Sequence, residues 1–293
     1  MRIENQYVYA MSPDNQPVAH VKSGDTLTFV TQDCFGNQFF DESVTMERLD
    51  WDHTNPATGP VFVEGTQPGD VLKVTIEKID VAEYGFMCTR PGEGVLGSLV
   101  TESRLKKIAV RDGMAYFSDE IVIPCDPMIG VIGVAPAEGK IGCGEPGSHG
   151  GNMDNTRIRE GATLYLPVFQ EGALFALGDV HACMGDGEIM VSGLEIPAEV
   201  TVTLEVLKGV TIENPMLEDE EYCYTIASDE DVEKAVFAAV RAMAEIIMKK
   251  KNMSLEDAGM LLSAVGNLQF CQVVDPKRTV RMEVKKTVLE GLL

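Results

Sequence analysis

The chain has 293 residues, 45% of them apolar, enough for one large domain or a few interlocked subdomains around a full core. Its 46 acidic against 24 basic side chains leave a formal charge of −22, which excludes a nucleic-acid backbone or an anionic membrane face as partner, because both need clustered Lys and Arg. Seven scattered cysteines without a C-x-x-C pair exclude a zinc knuckle or dithiol motif and read as isolated thiols of a reducing compartment.

Met1 to Ala10 lacks the basic start and apolar run of a signal peptide. No stretch reaches the roughly 18 apolar residues of a membrane helix, so a cytoplasmic location is expected. From Val18 to about Gly209 the pattern is short β-type runs broken by Gly, Pro, Asp and Asn. Residues 24–31, 71–79 and 200–207 alternate with period two, which predicts half-buried strands and favours a sandwich or barrel over a doubly wound sheet. Gly92 to Gly97 matches G-x-G-x-x-G but follows Arg90-Pro91 rather than a strand, so it reads as a turn. The carboxylate-rich run 213–233 reads as a solvated loop. After Ser228, apolar residues at 232, 235, 236, 239, 240, 243, 246 and 247 predict a helix of about five turns, with Ser228 and Asp231 as capping pair and Lys249 to Lys251 at its negative end. A second helix is predicted from Ser254, then strands over 268–274 and 279–284. The whole reads as a β-rich catalytic body over 1–212, with an α+β appendage over 213–293 packed on it.

Two Gly- and acid-rich loops stand out: 144–154, with His149, Gly150, Gly151, Asn152 and Asp154, and 178–188, with His181, Asp186 and Glu188. Glycine packs poorly but lets backbone approach a ligand. A hydrolytic metal needs two to four N or O ligands and an open position for water. His181, Asp186 and Glu188, with Asp154 or Asp33, supply such ligands and a general acid/base. The other reading is a pair of tight turns whose Asp side chains bond their own backbone. A serine triad at Ser148 lacks the nucleophile-elbow context, and a thiol nucleophile at Cys183 rests only on the nearby His181. His20 and His53 read as surface or structural.

Four stretches, in order along the chain, resemble the acetamidase/formamidase family: Thr31-Gln32-Asp33-Cys34-Phe35; Asn55 to Val61 running into Glu64-Gly65 and Pro68-Gly69-Asp70; His149 to Asp154; and Gly178 to Glu188. The resemblance implies hydrolysis of a formamide- or acetamide-like linear amide to ammonia and carboxylate. It also implies a mainly β, jelly-roll-like sandwich with an α+β C-terminal portion, and a homo-oligomer. The expected site has a divalent metal, zinc first, on Asp33, His181 and Asp186; Glu188, His149 and Asp154 as catalytic groups; and Asn55, Gly150, Gly151 and Asn152 around the substrate. The chain departs from the longer formamidases at Asn55, where they carry His, and at Cys183-Met184, where Gln is usual. Hydrolysis of another C–N bond, such as a cyclic imide, and a non-catalytic sandwich that binds a small ligand or calcium are the alternatives.

Overall fold

A computed structural model describes all of residues 1–293. The protein is mainly β. A nine-stranded sheet runs in the order Arg2–Ile3, Asp25–Thr31, Ala198–Leu207, Val71–Val81, Thr163–Pro167, Met216–Glu218, Tyr222–Asp229, Arg278–Lys285, Asn267–Gln272. The three alternating segments of the sequence are thus direct neighbours, and their inward residues Leu27, Phe29, Leu72, Val74, Ile76, Val200, Val202 and Leu204 are all buried. They face a seven-stranded sheet in which Gly150–Asn152, Met128–Gly133, Phe175–His181 and Ala57–Val63 lie side by side. Phe29 and Phe175 meet across the interior edge to face, with centroids 5.6 Å apart, a favoured aromatic geometry. One cluster of 36 buried residues fills the space between the sheets. A four-stranded sheet, Val122–Pro124, Met114–Tyr116, Arg104–Arg111 and Tyr84–Thr89, stands beside this sandwich.

The C-terminal strands extend the nine-stranded sheet: Met216–Glu218 pairs with Thr163–Pro167. Helix Val232–Lys251 covers the extension, burying Ala235, Ala239, Met243, Ala244 and Ile247 against Cys223, Ala227, Val280, Met282 and Val284. Its cap is Asp231, which accepts from the Glu233 N–H. Ser228 instead ends a strand and shares a hydroxyl bond with Thr279. Ser254 caps helix Leu255–Val265 by accepting from the Asp257 N–H. The carboxylate-rich run is a hairpin rather than a loop. Its turn is held by Asp219, which accepts the Glu221 and Tyr222 N–H groups and the Tyr224 hydroxyl, while the strand Tyr222–Asp229, with Cys223 to Ala227 buried in a row, outweighs the charge around it. The glycine fingerprint is a turn closed by Gly92 N–H on Gly97 O at 2.9 Å. No helix is long and apolar enough to cross a membrane.

Candidate active site

The site grows from three adjacent strands. Phe175–His181 is buried along its whole length and carries Asp179 and His181 on one face. Met128–Gly133 lies next to it, with Met128 opposite His181 and Val131 opposite Gly178, which puts Gly130 across from Asp179. Gly150–Asn152 flanks the other side, and Asp154 follows it. A Cβ on Gly130 would stand 2.5 Å from Asp154 Oδ1 and 2.6 Å from Asp179 Oδ2. Only a residue without a side chain leaves room for the two carboxylates over this strand.

Around them gather Asp33, at the end of Asp25–Thr31; Glu188, in the irregular segment after His181; Glu195, which bridges the His181 and Phe86 backbones; and Asp275, in the turn after Asn267–Gln272. Glu195 Oε2 lies 2.9 Å and Asp179 Oδ1 3.5 Å from His181 Nε2. On the other side of the ring, Nδ1 is 3.0 Å from Met128 Sδ and 4.0 Å from Asp154 Oδ1. Donor atoms of Asp154, His181 and Glu188 lie within 4.8 Å of one another, as do those of Cys34, Asp179 and Glu195. Asp33, Asp154, Asp179, His181, Glu188 and Glu195 are all buried. Backbone strain accompanies the cluster: Asn55, Asp154, Asp179, Glu188 and Val191 have φ of 49°, 42°, 54°, 47° and 66°, a left-handed region unfavourable to any side chain and most of all to β-branched Val.

Burial without cations sets the electrostatics. Both oxygens of Asp154 and Asp33 Oδ2 lack a hydrogen-bond partner, Asp179 Oδ1 and Glu195 Oε2 have only the His181 ring beside them, and a buried carboxylate left so is costly as an anion. Burial, then neighbouring carboxylates, raise Asp154 and Glu188 well above the ordinary range. Burial is also the main cause that pushes Asp33, Glu195 and Asp275 up to about 7. Burial alone would lower His181, but Glu195 and Asp179 override it and hold the imidazole well above its usual value.

A cavity of about 230 Å³ opens on the cluster, lined by Asp179, Glu188, Glu195 and Asp275 together with Trp51, Asn55, Arg90 and Asn152. Arg90 stacks over Trp51 at 4.1 Å. Asn152 donates to Asp275 Oδ2 at 2.9 Å. A larger hollow of about 960 Å³ beside Tyr84 and Arg111 contains none of the clustered carboxylates.

The structure therefore brings together Asp33, Asp154, His181 and Glu188 of the expected residues, with Asn55 and Asn152 on the cavity wall. Four others are not brought there. Asp186 is half exposed, and its carboxylate is taken by Arg281 and the Thr156 hydroxyl, which hold it away from this cluster. His149 is buried within its own hairpin, its ring against Gly147 and Gly151, and it does not line the cavity. Gly150 and Gly151 belong to a strand paired on both sides; a Cβ there would strike Ile132 O at 2.3 Å and Glu145 O at 2.2 Å. Their role is close strand packing. Asp179, Glu195 and Asp275 were missed. Asp179 had a visible sign, two residues before His181 and so on the same strand face. Glu195 and Asp275 arrive through tertiary pairing that no local pattern announces.

The fold matches that of an acetamidase/formamidase from Thermoanaerobacter tengcongensis, predicted as such, with a TM-score of 0.97 and 49% identity over 99% of this chain and 97% of that one. An acetamidase from Bacillus halodurans matches with a TM-score of 0.97 and 40% identity over 100% and 99% of the two chains. A formamidase from Methylophilus methylotrophus is 25% identical across 70% of this chain and 66% of its own length, so the chain spans about two thirds of that relative. The sequence pattern of the Acetamidase/Formamidase family runs through residues 3–141 and 144–275, which takes in each clustered carboxylate from Asp33 to Asp275, and the chain belongs to that family.

Proposed function

We propose that the protein hydrolyses a short linear amide to ammonia and a carboxylate, with a divalent metal, zinc first among the candidates, at the buried cluster. The observation that carries this reading is the set of buried carboxylates gathered around His181, beside a cavity of about 230 Å³ with Asp179, Glu188, Glu195 and Asp275 on its wall. That volume lies below the roughly 300–1,000 Å³ of pockets for drug-sized ligands, which suits a small substrate. The donor set fits a cation: carboxylates and one imidazole, none of the carboxylates paired with a Lys or Arg, the ligand types zinc takes.

Asp179, His181 and Glu195, which meet on the Nε2 side of the imidazole, would hold the ion, which when bound lowers the pKa of water to about 7 and polarises a carbonyl. Glu188 takes the acid/base role. Its carboxyl, raised by burial, moves a proton from the attacking water to the departing amide nitrogen, which leaves as ammonia. Asn55 and Asn152 present amide groups to the substrate from the cavity wall, and Asp275 fixes Asn152. Arg90 and Trp51, stacked on that wall, narrow the access of water.

Ammonia release from formamide, acetamide, propionamide and a cyclic imide, with and without chelator, tests the proposal. Release from a linear amide, abolished by chelation and restored by zinc, is expected. Glu188→Gln is expected to lower turnover by about 10² or more with the melting temperature kept; wild-type release from that variant would end the assignment of Glu188. Release from the imide alone points to the other C–N bond, and bound calcium without release from any substrate points to a binding protein. We take the working form to be a homo-oligomer, as the resemblance implies, in the cytoplasm, where the isolated thiols fit, to be tested by light scattering and cell fractionation.

A further inference from the structure

Cys125 and Cys183 stand 58 positions apart in sequence, yet their sulfurs are 3.7 Å apart. Both residues are partly exposed, unlike the buried Cys88, Cys143, Cys223 and Cys271. They flank the open end of the ladder between Met128–Gly133 and Phe175–His181. Met128 faces His181 as its last pair, and one further bond, Asp126 N–H to Ala182 O at 3.1 Å, continues past it. Cys183 begins the irregular segment that carries Glu188. Cys125 is itself anchored, its N–H donating to Gly113 O at 2.8 Å. A disulfide needs sulfurs about 2.05 Å apart, so closing less than 2 Å joins the pair.

We propose that Cys125 and Cys183 are an oxidation site, whose disulfide fastens the ladder end that carries His181 and the start of the Glu188 segment. With hydrogen peroxide as oxidant the step balances. Both S–H bonds and the O–O bond break, one S–S bond forms, the sulfurs are oxidised, and the peroxide oxygens leave as two waters carrying both thiol protons. A dithiol reductant reverses it. The oxidant is used in excess and the reaction followed over hours.

The test uses the full-length reduced protein treated with hydrogen peroxide. The expected product has lost two thiols, and its unreduced peptide map contains a single cross-link, Cys125 to Cys183. Its melting temperature is expected to rise by about 5–10 °C, since the bond closes a long loop of the unfolded chain, and hydrogen exchange over Ala182–Glu188 to slow about tenfold. Dithiothreitol reverses all three changes. Cys125→Ser and Cys125→Ala, which touch no proposed catalytic group, are expected to melt like the reduced wild type and to show no shift with peroxide. Sulfinic acid on one cysteine, a cross-link between other thiols, or a Cys125–Cys183 bond that leaves melting and exchange unchanged would each overturn the proposal. None of these readouts depends on amide hydrolysis.

Discussion

Gly130 shows how much of the site depends on an absent side chain. Alanine there would place a methyl group 2.5–2.6 Å from Asp154 and Asp179 oxygens, and overpacking of this kind costs about 1–3 kcal/mol. Gly130→Ala is expected to keep the fold, melt lower, and lose about 10–100-fold in zinc affinity, as when groups supporting metal ligands are displaced. Calorimetric zinc titration beside a thermal melt checks both. His149 makes a different prediction. Burial first, then the charge of Lys277, lower its pKa to about 4, against about 6.5 in an unfolded chain. Above 6.5 the ring is neutral in both states. Between 6.5 and 4 only the unfolded chain takes up the proton, so this group's contribution falls as pH falls, by up to about 3 kcal/mol. Asp33, Glu195 and Asp275, raised to about 7, act in the opposite direction, because their protonation in acid favours the folded state. Urea denaturation of wild type and His149→Gln at pH 7.5 and 4.5 separates the two: the wild type is expected to lose stability relative to the variant by about 2–3 kcal/mol. Asp154, His181 and Glu188 were legible in the sequence because acids and imidazoles crowd glycine-rich loops. Asp186 stands out in the sequence for the same reason. Only the fold places its partner, Arg281, beside it.

At the scale of elements, strand Arg278–Lys285 reaches back to the site loop. Arg281 is completely buried and donates to Gln269, Asn155, Thr156 and Asp186, while Gly187 N–H bonds Cys271 O at 2.8 Å. Removing one member of such a network leaves the others buried without partners. Arg281→Met is expected to destabilise by about 3–5 kcal/mol and to lower turnover by displacing the Glu188 segment. Asp186→Asn, half open to water, is expected to do much less of both; melts and kcat for the two variants make the comparison. The three alternating strands and both helices were legible because each buries one face with its own period. The hairpin at 216–229 was not, since its charged turn masked a three-residue and an eight-residue strand that form by pairing onto existing neighbours. Strand order in the two sheets was equally hidden, being set by contacts across the whole chain.

For the molecule as a whole, the C-terminal part supplies both structure and chemistry. Met216–Glu218 satisfies the edge of Thr163–Pro167, and Asp275 lines the cavity. A chain ending at 212 would expose that edge to other chains and lack Asp275. It is expected to be insoluble or inactive, whereas co-expression with 213–293 restores soluble protein if the two parts fold separately. A bound ion would also act on the whole molecule: at 100 times its Kd it adds about 2.7 kcal/mol of stability, so chelation is expected to lower the melting temperature by several degrees, read by calorimetry with and without zinc.

The lateness of Asp275 has a consequence during synthesis. Chains grow from the N-terminus and fold as their segments emerge, so the two large sheets begin to close while one wall of the cavity is still unmade. Until the strands around Asp275 and Arg281 arrive, the nascent protein holds a half-built nest of carboxylates and an open sheet border. Activity should therefore appear late and all at once in a timed translation reaction, and a translational pause before residue 275 should leave a chain that needs a chaperone more than it needs a metal.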